Sequence, residues 1–122
     1  MREADSFYSS NEYLEIMRVV LSTSITPDGF TSKPRNNIEL REFMEDPAIF
    51  SVSSFLKNVK KTQVIVTGLS SYRLKHWLEE SKSIYISNGA FIVGAILSGC
   101  QVRRTGKNAL FNISQKSFTQ NL

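Results

Sequence analysis

The sequence contains little of several residue types on which small proteins often depend. It has one Cys among 122 residues, which excludes an internal disulfide framework and a zinc site built from several cysteines. One His leaves little room for a catalytic triad with further histidines. Six Gly and three Pro exclude a collagen-like or proline-rich chain. We therefore look for function outside these classes.

Long apolar runs are also missing. The longest, residues 90–97, is about one third of the length that crosses a bilayer. The N-terminus lacks the basic region and apolar stretch of a signal peptide. Hydrophobic residues make up 41% of the chain and charged residues 21%, as in ordinary globular proteins. These features predict a soluble, cytoplasmic protein without membrane contact, and the length predicts one domain.

Sequence motifs for catalysis, nucleotide binding or metal binding are absent. There is no P-loop, no Gly-x-Gly-x-x-Gly, no His-Glu-x-x-His and no acidic ladder for a metal ion. His76 has Glu80 one helical turn away, which is also an ordinary exposed helix pair. Cys100 follows a helix and is interpreted as a buried, unreactive thiol. We predict a protein that is not an enzyme and has no cofactor; catalysis through His76, Cys100 or a Tyr stays an alternative.

Hydrophobic periodicity, together with capping residues and turn-forming Gly and Pro, predicts an α+β fold. Capping residues and apolar spacing indicate helices over residues 11–22, 38–44, 47–59, 71–80 and 90–98. A loop is expected over residues 24–37, strands over residues 63–67 and 83–86, and a hairpin from residues 100–104 and 109–113. N-terminal helices are thus followed by a β-α-β-α-β-β segment that ends in a basic hairpin. The predicted boundaries are a flexible N-terminus (1–10), a single domain (11–114) and a polar tail (115–122).

Charge is unevenly distributed along the chain. The net charge of +4 combines −4 in residues 1–50 with +8 in residues 51–122, where only Glu79 and Glu80 are acidic. Clustered cations repel one another unless an anion offsets them, and nucleic acid does so with release of counterions. The alternative is that the acidic half screens the basic half within the fold, or that the charge serves solubility.

Three groups of basic residues are candidate contacts for phosphate. We predict nucleic-acid binding by Lys57, Lys60 and Lys61 at a helix end, by Arg73 and Lys75 on the next helix, and by Arg103, Arg104, Lys107 and Asn108 in the hairpin. Each group also has an ordinary interpretation as a solvated helix end, helix face or turn.

The sequence therefore favours a small protein that binds DNA or RNA through phosphate contacts made by its basic C-terminal half. The alternative is a protein–protein interaction module, a regulator or inhibitor that docks on an acidic partner. Self-association is a variant of that alternative, in which the acidic half of one copy meets the basic half of another.

Overall fold

A computed structural model describes residues 10–31 and 36–122, and these residues form six helices and two β-hairpins. The helices are α1 (Ser10–Thr23), α2 (Asn37–Met44), α3 (Pro47–Leu56), α4 (Ser71–Lys82), α5 (Asn88–Leu97) and α6 (Gln115–Gln120). The strands are β1 (Ile25–Thr26), β2 (Gly29–Phe30), β3 (Val102–Thr105) and β4 (Asn108–Phe111), paired antiparallel as β1–β2 and β3–β4. The predicted α+β class is confirmed. None of the described helices is long and apolar enough to span a membrane.

Side-chain caps set the starts of five of the described helices, α2 to α6. Asp46 Oδ1 accepts a hydrogen bond from Ala48 N at 2.9 Å, and Pro47 occupies the first helical position of α3. Ser70 caps α4 and Ser87 caps α5 in the same way. These caps satisfy backbone N–H groups that have no partner within a helix.

Helix α5 is the centre of the hydrophobic core. Its residues from Asn88 to Ala95 are all buried, and it packs against α1, α3, α4 and both hairpins. A Cβ at Gly94 would lie 2.7 Å from the side chain of Val52 and 2.9 Å from the carbonyl oxygen of Ile49 in α3. Helices α3 and α5 therefore approach each other closely at this internal glycine. Because α5 is enclosed, it does not present a face to a nucleic-acid groove.

The two hairpin turns meet beside the first turn of α5. The backbone N of Phe30 donates to the carbonyl oxygen of Lys107 over 2.9 Å, and Gly89 N donates to the carbonyl oxygen of Pro27 over the same distance. Gly29 has a φ of +115°, and a Cβ there would collide with the carbonyl oxygen of Lys107. The turns and the start of α5 are therefore fixed against one another.

The predicted buried strand over residues 63–67 is wrong. Val64 is 72% exposed, and the segment reaches the edge of β4 through isolated hydrogen bonds such as Val66 N to Phe111 O at 2.9 Å. Thr62 Oγ1 donates to the carbonyl oxygen of Val64 at 2.6 Å. This local bond offers the backbone an alternative to a regular ladder.

The predicted strand over residues 83–86 is also wrong. This segment pairs with no strand in the part of the chain that the structure describes, and its final amide, Ile86 N, donates to the side chain of Glu79. The region interpreted as a loop, residues 24–37, contains the β1–β2 hairpin, with Pro27 and Asp28 in its turn. Residues 32–35 lie outside the described part of the chain.

The C-terminal segment is not a polar tail. Residues 115–120 form α6, in which Phe118 is fully buried and packs edge-on against Phe55 at a centroid distance of 5.1 Å. The segment contains one large apolar residue before the terminus, so no hydrophobic periodicity marks it in the sequence. Of the predicted flexible N-terminus (1–10), residues 1–9 lie outside the described residues, while Ser10 begins α1.

Candidate functional site

A groove of about 610 Å³ opens where the two hairpin turns meet α4 and the start of α5. We call it the tyrosine groove, and its lining residues are Pro27, Asp28, Tyr72, Lys75, Tyr85, Asn88, Lys107 and Asn108. The size lies within the range of about 300–1,000 Å³ that is usual for ligand sites. Lys75, Lys107 and Asn108, three of the residues predicted to contact nucleic acid, are brought together here.

Lys75 lies between the two tyrosines. It is only 7% exposed, and its Nζ is 3.2 Å from Oε1 of Glu79. The same Nζ is 5.1 Å from the ring centroid of Tyr72 and 5.8 Å from that of Tyr85. A buried ammonium requires such partners because its loss of hydration is costly. The charge of Lys75 is thus offset within the molecule, and the residue positions both rings.

Glu79 fixes the backbone next to Tyr85. Its Oε2 accepts a hydrogen bond from Ile86 N at 2.8 Å, and its Oε1 lies 3.3 Å from Nδ1 of His76. The sequence suggested Glu80 as the partner of His76, but the structure pairs His76 with Glu79, three residues along the helix. One carboxylate therefore connects α4 to the segment that carries the more exposed tyrosine.

A buried polar network forms the floor of the groove. Ser71 Oγ donates to Oδ1 of Asn88 at 2.8 Å and accepts from Ala109 N at 3.0 Å. Nδ2 of Asn88 donates to Oδ1 of Asn108 at 2.9 Å and to the carbonyl oxygen of Asp28 at 3.1 Å. The network joins α4, α5 and both hairpins, so the shape of the groove depends on it.

The basic residues of the β3–β4 hairpin point in two directions. Arg103 is paired across the strands with Leu110 and Arg104 with Ala109, so the two arginines lie on opposite faces, as expected. The Arg104 guanidinium lies over the ring of Phe30 at 5.2 Å. Arg103 and Lys107 are exposed, and among the described residues neither forms an ion pair.

The lysines at the end of α3 form a separate group. Lys57 and Lys60 are exposed, whereas Lys61 is half-buried. The Lys61 Nζ donates to the carbonyl oxygens of Leu56 at 2.7 Å and Val59 at 3.3 Å. Its ammonium group supplies donors to carbonyl oxygens at the C-terminal end of α3, where cations also interact favourably with the helix dipole.

The candidate cations are therefore divided between two places. Lys61 pairs with Ile113 beyond the C-terminal end of β4, whereas Lys107 directly precedes the start of that strand. Arg73 is exposed in the first turn of α4. The hairpin cations therefore lie near the start of β4 and the α3 lysines near its end, so they do not form one cluster.

A second groove, of about 570 Å³, lies on the other side of Tyr85. We call it the acidic groove, and its lining residues are Pro27, Glu39, Glu42, Phe43, Glu45, Asp46, Pro47, Tyr85 and Ser87. Pro27 and Tyr85 line both grooves, so they form the wall between them. Negative charge therefore borders the tyrosine groove on this side.

Cys100 lies outside both grooves. Burial raises the pKa of the Cys100 thiol, although a hydrogen bond with Ser98 and the charge of Lys61 act in the opposite direction. The sequence interpretation of a buried thiol is confirmed. Within residues 10–31 and 36–122, no three His, Cys, Asp or Glu side chains are grouped as metal ligands.

Sequence reasoning missed Glu79 and Tyr85 as parts of the site. Tyr85 fell within a predicted strand, and the contact between Ile86 and Glu79 that places it depends on tertiary structure. The groove is assembled from segments that are far apart in the sequence, so no local pattern marks its two tyrosines. Comparisons of this chain with protein-family models, with curated proteins and with solved structures found no match.

Proposed function

We propose that this chain binds nucleic acid, DNA or RNA, at the tyrosine groove and the adjoining β3–β4 hairpin. The observation that carries the proposal is the position of Lys107 on the rim of a large open groove, with no ion-pair partner among the described residues. Arg103 lies in the same hairpin and is also exposed without such a partner. Phosphate groups would offset both charges.

The geometry favours contacts to the nucleic-acid backbone. Arg103 and Asn108 lie on one face of the hairpin, because Asn108 pairs with Thr105, two residues beyond Arg103. Lys107 occupies the turn between the strands. Long cationic side chains on an exposed hairpin are suited to phosphate oxygens, which provide affinity without sequence discrimination. We therefore expect modest sequence specificity.

A salt titration tests the proposal. Binding of a labelled oligonucleotide is measured by fluorescence anisotropy between about 50 and 200 mM salt, where phosphate contacts weaken markedly. Lys107→Ala and Arg103→Ala should each reduce the slope of log affinity against log salt by about 1. Lys116→Ala, an exposed lysine in α6, is the matched control and should leave the slope unchanged. Absence of binding, or binding independent of salt, contradicts the proposal.

An acidic protein partner is the second candidate. Ile84, the residue before Tyr85, is 38% exposed, and exposed apolar side chains occur at many protein interfaces. A competition experiment separates the two functions. Polyglutamate should displace a labelled oligonucleotide only weakly if phosphate is the preferred anion. If polyglutamate displaces the labelled oligonucleotide as strongly as unlabelled oligonucleotide does at the same charge concentration, the acidic protein partner is favoured.

A further inference from the structure

We infer that the tyrosine groove receives an unstacked base on the ring of Tyr85, so that the nucleic acid bound is single-stranded. The inference rests on the proposed function and specifies its ligand. The observation behind it is that Tyr85 is 76% exposed although the residue that follows it, Ile86, is fully buried. The ring therefore stands in solvent on a firmly anchored backbone.

One hydrogen bond anchors the backbone next to Tyr85, and one cation lies near its ring. Ile86 N donates to Oε2 of Glu79 at 2.8 Å, and the Lys75 ammonium lies 5.8 Å from the Tyr85 ring centroid. A cation near an aromatic face is attracted to its π-electrons. Tyr85 contributes little buried area to folding, yet the backbone beside it is anchored and its ring lies near the Lys75 cation. A pre-oriented exposed aromatic ring is the arrangement on which nucleobases stack.

Charge on the two sides of Tyr85 gives the strand a path. Lys107 and one carboxylate, Asp28, line the tyrosine groove, whereas four carboxylates line the acidic groove on the other side: Glu39, Glu42, Glu45 and Asp46. The first side is therefore the less negative of the two, and Lys107 is its exposed cation. A base on Tyr85 would therefore have its phosphates directed toward the β3–β4 turn.

Tyr72 extends the aromatic surface on the same side. Its ring centroid lies 5.1 Å from the same Lys75 ammonium, and the side chain is 52% exposed. The edge-on packing of His76 against Tyr72, at a centroid distance of 4.4 Å, restrains this ring. Bases within a duplex are already stacked on their neighbours, so only an unpaired strand presents a free base to these rings without the cost of opening the helix.

The experiment compares a single strand with its own duplex at one salt concentration, using wild type, Tyr85→Ala, Tyr85→Phe and the control Phe50→Ala. Phe50 is another exposed aromatic residue, in α3 and away from the groove. We expect tighter binding of the single strand. Tyr85→Ala should weaken that binding about 5- to 150-fold, the range that corresponds to loss of one stacked base. Tyr85→Phe, which keeps the ring, should bind within about 3-fold of wild type.

The salt slope separates the inference from the function on which it rests. Tyr85→Ala removes no charge, so the slope for the single strand should equal that of wild type. Equal affinity for the single strand and the duplex overturns the inference, as does an unchanged single-strand affinity in Tyr85→Ala. The proposed function still stands in either case if binding depends on salt. Failure of both forms to bind overturns both.

Discussion

The side-chain amide of Asn88 donates to the side-chain oxygen of Asn108 across 2.9 Å, and this bond joins the first turn of α5 to the β3–β4 hairpin. Asn88 is buried, and its own Oδ1 accepts from Ser71. Both ends of the amide are thus used to connect separate elements. Together with the backbone bonds between the turns, this side chain links the walls of the tyrosine groove.

Replacement of Asn88 by Ala should destabilise the fold. The substitution leaves the hydroxyl of Ser71 and the side-chain oxygen of Asn108 without their partner, and an unsatisfied buried polar group costs about 1–3 kcal/mol. The free energy of unfolding, measured by chemical denaturation, should fall by about that amount. Asn58→Ala, at an exposed position after α3, is the control and should change it by less than about 0.5 kcal/mol. Equal effects would contradict the role of the network.

Glu79→Gln tests the buried ion pair in α4. The amide retains an acceptor for Ile86 N but leaves the Lys75 ammonium without its counter-charge, so we expect a loss of stability of about 3 kcal/mol. Glu80→Gln, at the next and exposed position, should have almost no effect. The double variant Lys75→Met with Glu79→Gln should regain part of the loss, because no unpaired buried charge remains. A double variant less stable than Glu79→Gln alone would contradict this account.

Gly94→Ala should destabilise the protein even though Ala favours a helix by about 1 kcal/mol. The added methyl group would lie 2.7 Å from Val52 and 2.9 Å from the backbone oxygen of Ile49, and such overpacking typically costs about 1–3 kcal/mol. Thermal denaturation should give a lower Tm. Combining the change with Val52→Ala removes one of the clashing carbons, so the two substitutions together should cost less than the sum of their separate effects. A higher Tm for Gly94→Ala would show that the helices separate freely.

Phe118→Ala tests the contribution of α6 to the core. The ring is fully buried against Phe55, and its centroid lies 6.4 Å from that of Phe91 in α5. Removal of a large buried aromatic side chain costs about 3–5 kcal/mol, measured as the free energy of unfolding. Leu122→Ala, near the same end of the chain and 39% exposed, is the control. Similar small effects of both changes would indicate that α6 packs only loosely.

The pH dependence of stability should include a contribution from Cys100. Burial raises the pKa of its thiol above the ordinary value of 9.0, so above pH 9.0 the unfolded chain loses this proton before the folded chain does. The folded state is then the one that retains more protons, and the free energy of unfolding falls as the pH rises. Denaturation curves above pH 9.0 should show a steeper decline for wild type than for Cys100→Ala. Parallel declines would contradict the shift.

Helix starts were predictable from the sequence because their causes are local. Asp46, Ser70 and Ser87 each lie two or three residues from the backbone N–H that they cap. The strand prediction for residues 63–67 was wrong because it depended on non-local structure. β-branched residues favour extended backbone, but a strand also requires a continuous partner, and this segment has none among the described residues. Phe118 was missed because one buried ring leaves no periodic pattern.

The candidate site was only partly predictable. Lys107 and Asn108 were found because a basic turn in a hairpin is visible in the sequence. The internal neutralisation of Lys75 by Glu79 depends on burial, which the sequence did not show. The exposure of Tyr85 and the tertiary hydrogen bond that anchors the next residue carry no local sequence signal.

The bond from Phe30 N to the Lys107 carbonyl has a consequence for the order of folding. It ties two short turns that are far apart along the polypeptide, so the entropy of closing the intervening loop must be overcome before it forms. The β3–β4 hairpin is formed by residues close in sequence, but the tyrosine groove beside it is complete only when the β1–β2 hairpin packs against it. A fragment that begins after Phe30 would lack one wall of the tyrosine groove.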